Sequence, residues 1–407
     1  MSSELDSATD STRPFHERLH SLWAENRIRI LVTVSLSWML TLGVRLSIPV
    51  LMPWIQRDFS VGLTGVGGIL SLVWAVYAVS QFPGGILADR FGERVVLAGS
   101  TFLSALALTL IAVSTGFWVF IGCVVLFGIA SGLFATTRFT VLSDVFPDNE
   151  GTVIGLSAAA GNVGTTLLPI IAGQVALLIG WRYSFVAMAP GLLIAAAGLR
   201  TSVPTRTSTP ASGGDGLNAM TVLRAVRNPA SLLGASAMFF MSFVYQAFTG
   251  FYPTYLVQVK GFDEGTAALL YGAFFAAGIF LQPVGGLLGD RYGKRRTILV
   301  SAALTGLVLA LVPATGGIGP ILALSALASV QLCFWPSAQA YVIDTLPERL
   351  QGGGFGLLRT AYLALAASGP LVVGALASAA GFTVAFYVLS FAAGVAVLIG
   401  LLLTRFG

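Results

Sequence analysis

Apolar runs with little or no charge follow one another along almost the whole chain from Ile30, most of them about 20 residues or longer, enough to cross a hydrocarbon core of about 30 Å. A length of 407 residues would otherwise suggest two or three soluble domains. Only 10% of the residues are charged, however, where a soluble domain carries about 25%. Most of the chain is therefore built to face lipid, and the bilayer is its first partner. Read in order, the runs place spans near 29–55, 63–87, 95–114, 117–143, 152–179 and 183–200. After a polar stretch they resume near 230–257, 266–288, 297–313, 318–343, 353–379 and 383–404.

The expected fold is an all-α membrane protein of twelve transmembrane helices. The stretch 201–218, rich in Ser, Thr, Pro and Gly, reads as a linker that divides the spans six and six. The organisation expected is a cytoplasmic tail over 1–28, a six-helix bundle over 29–200, a linker over 201–229 and a second bundle over 230–407. The tail is polar to about Asn26 and has no short apolar core with a cleavage site, so it is not read as a signal peptide. His16 and His20 both fall in that tail, which removes histidine chemistry from the membrane. Cys123 and Cys333 sit inside apolar runs and read as packing residues rather than a disulfide or metal pair. No metal, cofactor or nucleic-acid site is expected, and the protein is expected to be a monomer.

Basic residues orient the spans. Of the 22 Lys and Arg, sixteen fall on one side of an even-span topology, while the other side has only Arg57, Arg182 and Lys260. Both termini are therefore expected in the cytoplasm, in a multi-pass cytoplasmic-membrane protein. The remaining three, Arg45, Arg138 and Arg359, lie inside spans.

The halves repeat. GGILADRFGER at 84–94 returns as GGLLGDRYGKR at 285–295; Pro53 matches Pro253, and Asp144 with Pro147 matches Asp344 with Pro347. A period near 200 residues is far too long for a solenoid. It points to two duplicated six-helix bundles in parallel, an arrangement that places substrate at the bundle interface.

Gly85, Asp89, Arg90, Gly92 and Arg94 form a loop that resembles the G-x-x-x-D-R-x-G-R-R motif of the major facilitator superfamily. Gly286, Asp290, Arg291, Gly293 and Arg295 repeat it between spans eight and nine. Glu93 departs from the family pattern, whereas Lys294 keeps it. The resemblance implies the major facilitator fold, with two pseudo-symmetric bundles and transport by alternating access. It also implies a conformational latch at these residues together with Asp144 and Asp344, since a carboxylate at a helix end can pair with basic groups or a helix N-terminus. The plainer alternative is that the motif only shapes its loop.

Arg45 lies within about 5 Å of its span's midplane, and Arg138 and Arg359 about 10–12 Å towards the cytoplasmic side, at 1.5 Å rise per residue. Their repeat positions hold Tyr245, Ala338 and Ala159, so duplicated scaffold positions carry different chemistry. No Asp or Glu lies within any span interior. Buried charges need partners, and an anionic cargo would supply one in the two-pronged geometry that Arg offers carboxylate or phosphate. Arg138 and Arg359 could instead snorkel, and Arg359 could cap carbonyls or support a contact between the bundles. Arg45 is too deep to snorkel easily.

Arg45 with Arg138 resembles the anion:cation symporter branch of the superfamily, which handles sugar acids and other organic anions. Symporters of that branch carry membrane carboxylates for proton coupling; their absence here favours anion exchange, facilitated flux, or coupling through the cargo or Asp144. The coupling ion, if any, would be a proton or sodium. The first-span arginine is also similar to organophosphate:phosphate exchangers, but Tyr245 and Gln246 stand where their seventh-span arginine would be. Tyr245, Gln246, Tyr252, Tyr255, Asn162, Phe334, Trp335, Gln339 and Tyr341 are candidates for the rest of the cavity, packing being the alternative for each aromatic. Trp54, Trp118 and Trp181 read as interfacial anchors. Glycines and prolines in spans five and eleven, including Gly155, Gly161, Gly164, Pro169, Gly173, Gly369 and Pro370, suit close packing and bending.

The expected function is secondary transport of a small organic anion: a carboxylate, sugar acid or phosphate-bearing solute. The alternative is a proton-coupled drug or metabolite exporter, which IPVLMP at 48–53 resembles. No G-x-x-x-x-G-K-[ST] segment supports an ATP-driven pump, and no clustered ligands or carboxylates support an enzyme.

Overall fold

The computed structural model describes residues 25–205 and 226–405; the expected tail over 1–28 and linker over 201–229 lie largely outside them. The described residues are helical, with no strand among them. Inside a bilayer the backbone has no water to bond, so each apolar run closes its own hydrogen bonds as a helix. The first half comprises α1 (Glu25–Phe59), α2 (Leu63–Phe91), α3 (Glu93–Val113), α4 (Phe117–Val145), α5 (Glu150–Ile179) and α6 (Trp181–Ser202). The second comprises α7 (Pro229–Gln258), α8 (Glu264–Tyr292), α9 (Lys294–Leu311), α10 (Ile318–Ala328), α11 (Phe334–Asp344), α12 (Gln351–Ala366), α13 (Gly369–Ala380) and α14 (Phe382–Arg405).

Eleven helical segments among the described residues are long and apolar enough to cross a membrane, counting 318–344 and 353–380 as one each. The span expected at 297–313 is the exception: α9 has only 18 residues and opens on Lys294, Arg295 and Arg296. Helices generally begin earlier or end later than expected, because polar residues continue the helix past the hydrocarbon edge.

Two spans are broken. A 3-10 turn over Ser329–Cys333 separates α10 from α11. The break between α12 and α13 falls at Ala367–Ser368, and Pro370 occupies the first turn of α13, where its missing N–H costs nothing. That is the bend expected from Gly369-Pro370. Pro169, by contrast, stays inside a continuous α5.

The motif glycines have a backbone role. Gly92 (φ 88°) and Gly293 (φ 97°) each end one helix and begin the next, in a region that side chains resist. One residue thus turns the chain at the same place in both repeats.

Within the first half α1 packs on α5 and α6, α2 on α4, and α3 on α4 and α6; within the second, α14 packs on α7 and α9, and α8 on α10 and α11. Across the halves α2 meets α13, α5 meets α8 and α1 meets α7. Small residues make the tightest crossings. A Cβ on Gly164 would lie 2.1 Å from the Met39 carbonyl oxygen, and one on Gly161 2.4 Å from the Trp38 indole nitrogen. Gly155 faces open space and takes no part in such packing.

Candidate functional site

Arg45 is 5% exposed. Its guanidinium carbon lies 3.8 Å from the Tyr77 ring centroid and 4.6 Å from that of Trp74, both on α2. Nε has no hydrogen-bond partner. The charge is therefore held by aromatic faces, which attract a cation, and its Nε donor is left for something else. Ion pairs among the described residues include Arg57–Glu264, Arg182–Asp58 and Lys294–Asp344, all at helix ends. None of these three involves an arginine within a span.

Arg45 opens onto a cavity of about 210 Å³ between the halves. The first half supplies Trp38, Leu42 and Arg45 from α1, Trp74 and Tyr77 from α2, and Asn162 and Thr165 from α5. The second supplies Ser242, Tyr245 and Gln246 from α7, Phe275 and Gln282 from α8, and Leu332, Trp335 and Gln339 along the α10–α11 span. Arg359, Tyr362 and Leu363 come from α12. Asn162 Nδ2 donates to Gln282 Oε1 at 3.1 Å, joining the halves. Tyr245 packs edge-on between Trp74 and Trp335, with ring centroids 6.1 and 6.4 Å away. Besides Arg45 Nε, Ser242 Oγ and Gln246 Oε1 are buried without a partner. Buried polar atoms nearly always find one, so three orphans around one cavity mark where a bound molecule or water makes its bonds.

Seven of the eight residues expected to bind substrate thus meet in one place: Arg45, Arg359, Tyr245, Gln246, Asn162, Trp335 and Gln339. Arg138 does not line the cavity. It lies behind Trp38, 3.8 Å from that ring and 4.3 Å from Phe139, and donates through one terminal nitrogen to Ser157 Oγ at 3.0 Å. Tyr252, Tyr255 and Phe334 are also elsewhere, fully buried in the second half. Tyr252 Oη pairs with Ser325 Oγ at 2.5 Å, and Tyr255 Oη donates to the Val312 carbonyl at 3.3 Å. Tyr341 faces a separate cavity at the motif face. Trp118 is exposed as an anchor would be, but Trp181 is buried and donates to Asp58 Oδ2 at 3.2 Å. Sequence reasoning missed Trp38, Trp74, Tyr77, Gln282 and Tyr362. The available signal was position: Trp38, Trp74 and Tyr77 lie well inside their spans, away from the interfaces where such residues anchor.

Contacts that lock the halves gather on the face opposite the 84–94 motif. Leu371 N donates to Ser71 Oγ at 2.8 Å, and Gln258 Nε2 to Gln56 Oε1 at 2.9 Å; Arg57 pairs with Glu264. Backbones also approach closely there: a Cβ on Gly67 would meet the Pro370 carbonyl oxygen at 2.4 Å, and one on Gly374 that of Leu63 at 2.5 Å.

At the motif face, Asp89, Arg90, Asp290 and Arg291 are exposed. Arg94 Nε donates to the Val203 carbonyl at the end of α6 at 2.5 Å. In the second copy Lys294 pairs with Asp344, so the carboxylate engaged there comes from α11 and not from Asp290. Asp144 is exposed near the end of α4, and Gly85 and Gly286 face open or ordinary van der Waals space.

Comparison with known proteins agrees with this architecture. A hexuronate transporter of Bacillus subtilis (strain 168) is 23% identical over 95% of this chain and 96% of its own. A probable nitrate/nitrite antiporter, NarK1 of Thermus thermophilus, is 29% identical over 67% of this chain, which spans 63% of that relative. A multidrug resistance protein, MdtG of Rahnella sp. (strain Y9602), is 26% identical over 79% of each chain. Among solved structures, a bacterial homologue of the human lysosomal transporter Spinster, inward-facing and unoccupied, superposes with a TM-score of 0.79 at 16% identity, covering 94% of this chain and 98% of its own. The family model described as Major Facilitator Superfamily matches residues 33–280 and 260–405. With the helical fold, the paired motif and that match in agreement, this chain belongs to the Major Facilitator Superfamily and is a multi-pass membrane transporter.

Proposed function

We propose that the protein is a secondary transporter of a small organic anion, working by alternating access between two six-helix bundles over 29–200 and 230–407, with α9 completing twelve spans. The observation that carries this reading is one cavity holding Arg45 from the first half and Arg359 from the second, with no carboxylate in its lining. A negatively charged cargo in that cavity would meet a guanidinium from each side. Tyr245, Gln246, Asn162, Trp335 and Gln339 would orient its remainder. The names of the hexuronate and nitrate/nitrite relatives support a small anion. The likeness to MdtG keeps a drug or metabolite exporter as the second reading, which the aromatic lining also suits.

With both termini in the cytoplasm, the motif face is cytoplasmic and the interlocked face external, so the described state faces inward. Asp89, Arg90, Arg94, Arg291, Arg295, Asp144 and Asp344 would act as the latch when the halves rock to the outward-facing state. The protein would work as a monomer without cofactor. The lack of an Asp or Glu within any span interior to carry a coupling proton suits anion exchange over proton symport.

The test is counterflow in proteoliposomes loaded with glucuronate, a dicarboxylate or nitrate, with a cationic dye as control. A charged hydrogen bond contributes about 1.5–3 kcal/mol, so Arg45→Gln and Arg359→Gln should each lower anion flux at least tenfold. Dye transport without anion transport would overturn the proposal in favour of the exporter.

A further inference from the structure

Two cavities meet at the cytoplasmic edge of the second half, away from the central site. The first, of about 780 Å³, is lined by Lys294, Arg295 and Arg296 at the start of α9, with Asp290, Tyr341 and Asp344 among its other walls. Three cations there outnumber two carboxylates, one of which Lys294 already engages. Arg295 stacks 5.5 Å from the Tyr341 ring, leaving its donors open to the cavity. The free N–H groups of the first turn of α9 add to the positive potential. Tyr341 provides an independent sign of a ligand: it is 6% exposed, lines this cavity, and its buried hydroxyl has no hydrogen-bond partner.

The second cavity, of about 330 Å³, is a groove along α8, α9 and the 3-10 turn. Beyond Arg296 and Tyr292, Leu288, Val300, Leu304 and Val330 set its walls, with the small side chains of Thr297, Ser301 and Cys333 between them. Tyr292 and Arg296 belong to both cavities. A basic pocket thus opens directly into an apolar trough that runs down a membrane-facing helix surface, where Val300 is 51% exposed. A free anion would use only the upper part.

We propose that this pair of cavities binds one anionic phospholipid, its phosphate between Arg295, Arg296 and the Tyr341 hydroxyl and one acyl chain in the groove beside Leu304. Basic clusters just beyond a membrane helix attract such headgroups. The first repeat has no counterpart. Glu93 stands in place of Lys294 and is buried, Val95 in place of Arg296, and Arg94 is committed to the Val203 carbonyl. The duplicated scaffold therefore carries a lipid site in one half only, and this assignment is independent of what the central cavity transports.

Native mass spectrometry of the full chain, titrated with phosphatidylglycerol or phosphatidylcholine, tests it. Phosphatidylglycerol should be retained at least fivefold better, since one basic residue near anionic lipid contributes about that factor. Arg295→Gln with Arg296→Gln should erase the preference, and Val300→Trp, which fills the groove, should weaken retention. Tyr341→Phe keeps the ring and should lower retention, a second readout if the double variant is not recovered. Equal retention of both lipids, or a preference that survives the Arg and Tyr changes, overturns the proposal. So does competition by inorganic phosphate with no effect of Val300→Trp, which would make the pocket a site for free anions.

Discussion

Arg45→Met separates a cargo-binding arginine from a structural one by the sign of its effect on stability. The guanidinium is 5% exposed, Nε is unpartnered, and its neighbours are the Tyr77 and Trp74 rings. Two desolvated cation–π contacts contribute about 1–2 kcal/mol each. Removing a guanidinium from water costs several kcal/mol, and replacing buried ionic groups with apolar ones of similar volume is often neutral or stabilising by about 1–4 kcal/mol. Methionine keeps the length and lies well on aromatic rings. Ligand-free Arg45→Met should therefore be about 1–3 kcal/mol more stable than the parent, measured by unfolding in nanodiscs. Its anion flux should fall to background. Cargo at a hundred times its dissociation constant should stabilise the parent by about 2.7 kcal/mol and leave the variant unchanged. A variant less stable than the parent by more than about 1 kcal/mol would refute the reasoning, because the chain itself would then be satisfying that charge.

Two further outcomes follow from the face opposite the 84–94 motif. Gln56→Cys with Gln258→Cys replaces a 2.9 Å contact between the halves, so oxidation should cross-link them and stop flux, and a reductant should restore it; flux that persists in the cross-linked protein would show that this seam need not open. Asp263 caps α8 by accepting from the Thr266 amide at 2.9 Å and from its hydroxyl, and those bonds hold its carboxyl below the usual range. Its contribution is therefore complete above about pH 4 and fades as pH falls towards the lowered value; Asp263→Ala should cost about 1 kcal/mol, and the gap between parent and variant should narrow in acid, as unfolding at pH 7 and pH 3 would reveal.

Much of the site was legible because charge inside a membrane is rare and expensive. Arg45 and Arg359 stand out in any reading of the chain, and so do Tyr245 and Gln246 as hydrogen-bonding side chains within an apolar seventh span. Arg138 was equally conspicuous, yet the large ring of Trp38 lies between it and the cavity. Burial depth along a helix fixes how far a residue lies from water, but not which way around the helix it points. The same limit explains Tyr252 and Tyr255: both lie on the helix that bears Tyr245, and both turn into the second half to bond Ser325 and the Val312 carbonyl.

Composition and run length determined by themselves that this is a helical membrane protein, and the returning GG-x-L-x-D-R motif determined that it was built twice. These follow from local physics: a lipid-facing backbone must close its own hydrogen bonds, and duplicated segments keep their turns. Only the tertiary structure decided which aromatics hold the guanidinium and which face of the carrier is locked. It also decided that Tyr341 lines the cavity at the motif face and not the central one. Those depend on how helices far apart in sequence rotate and cross, and that is set by contacts such as Gly164 against Met39 and Asn162 against Gln282, which no single segment contains.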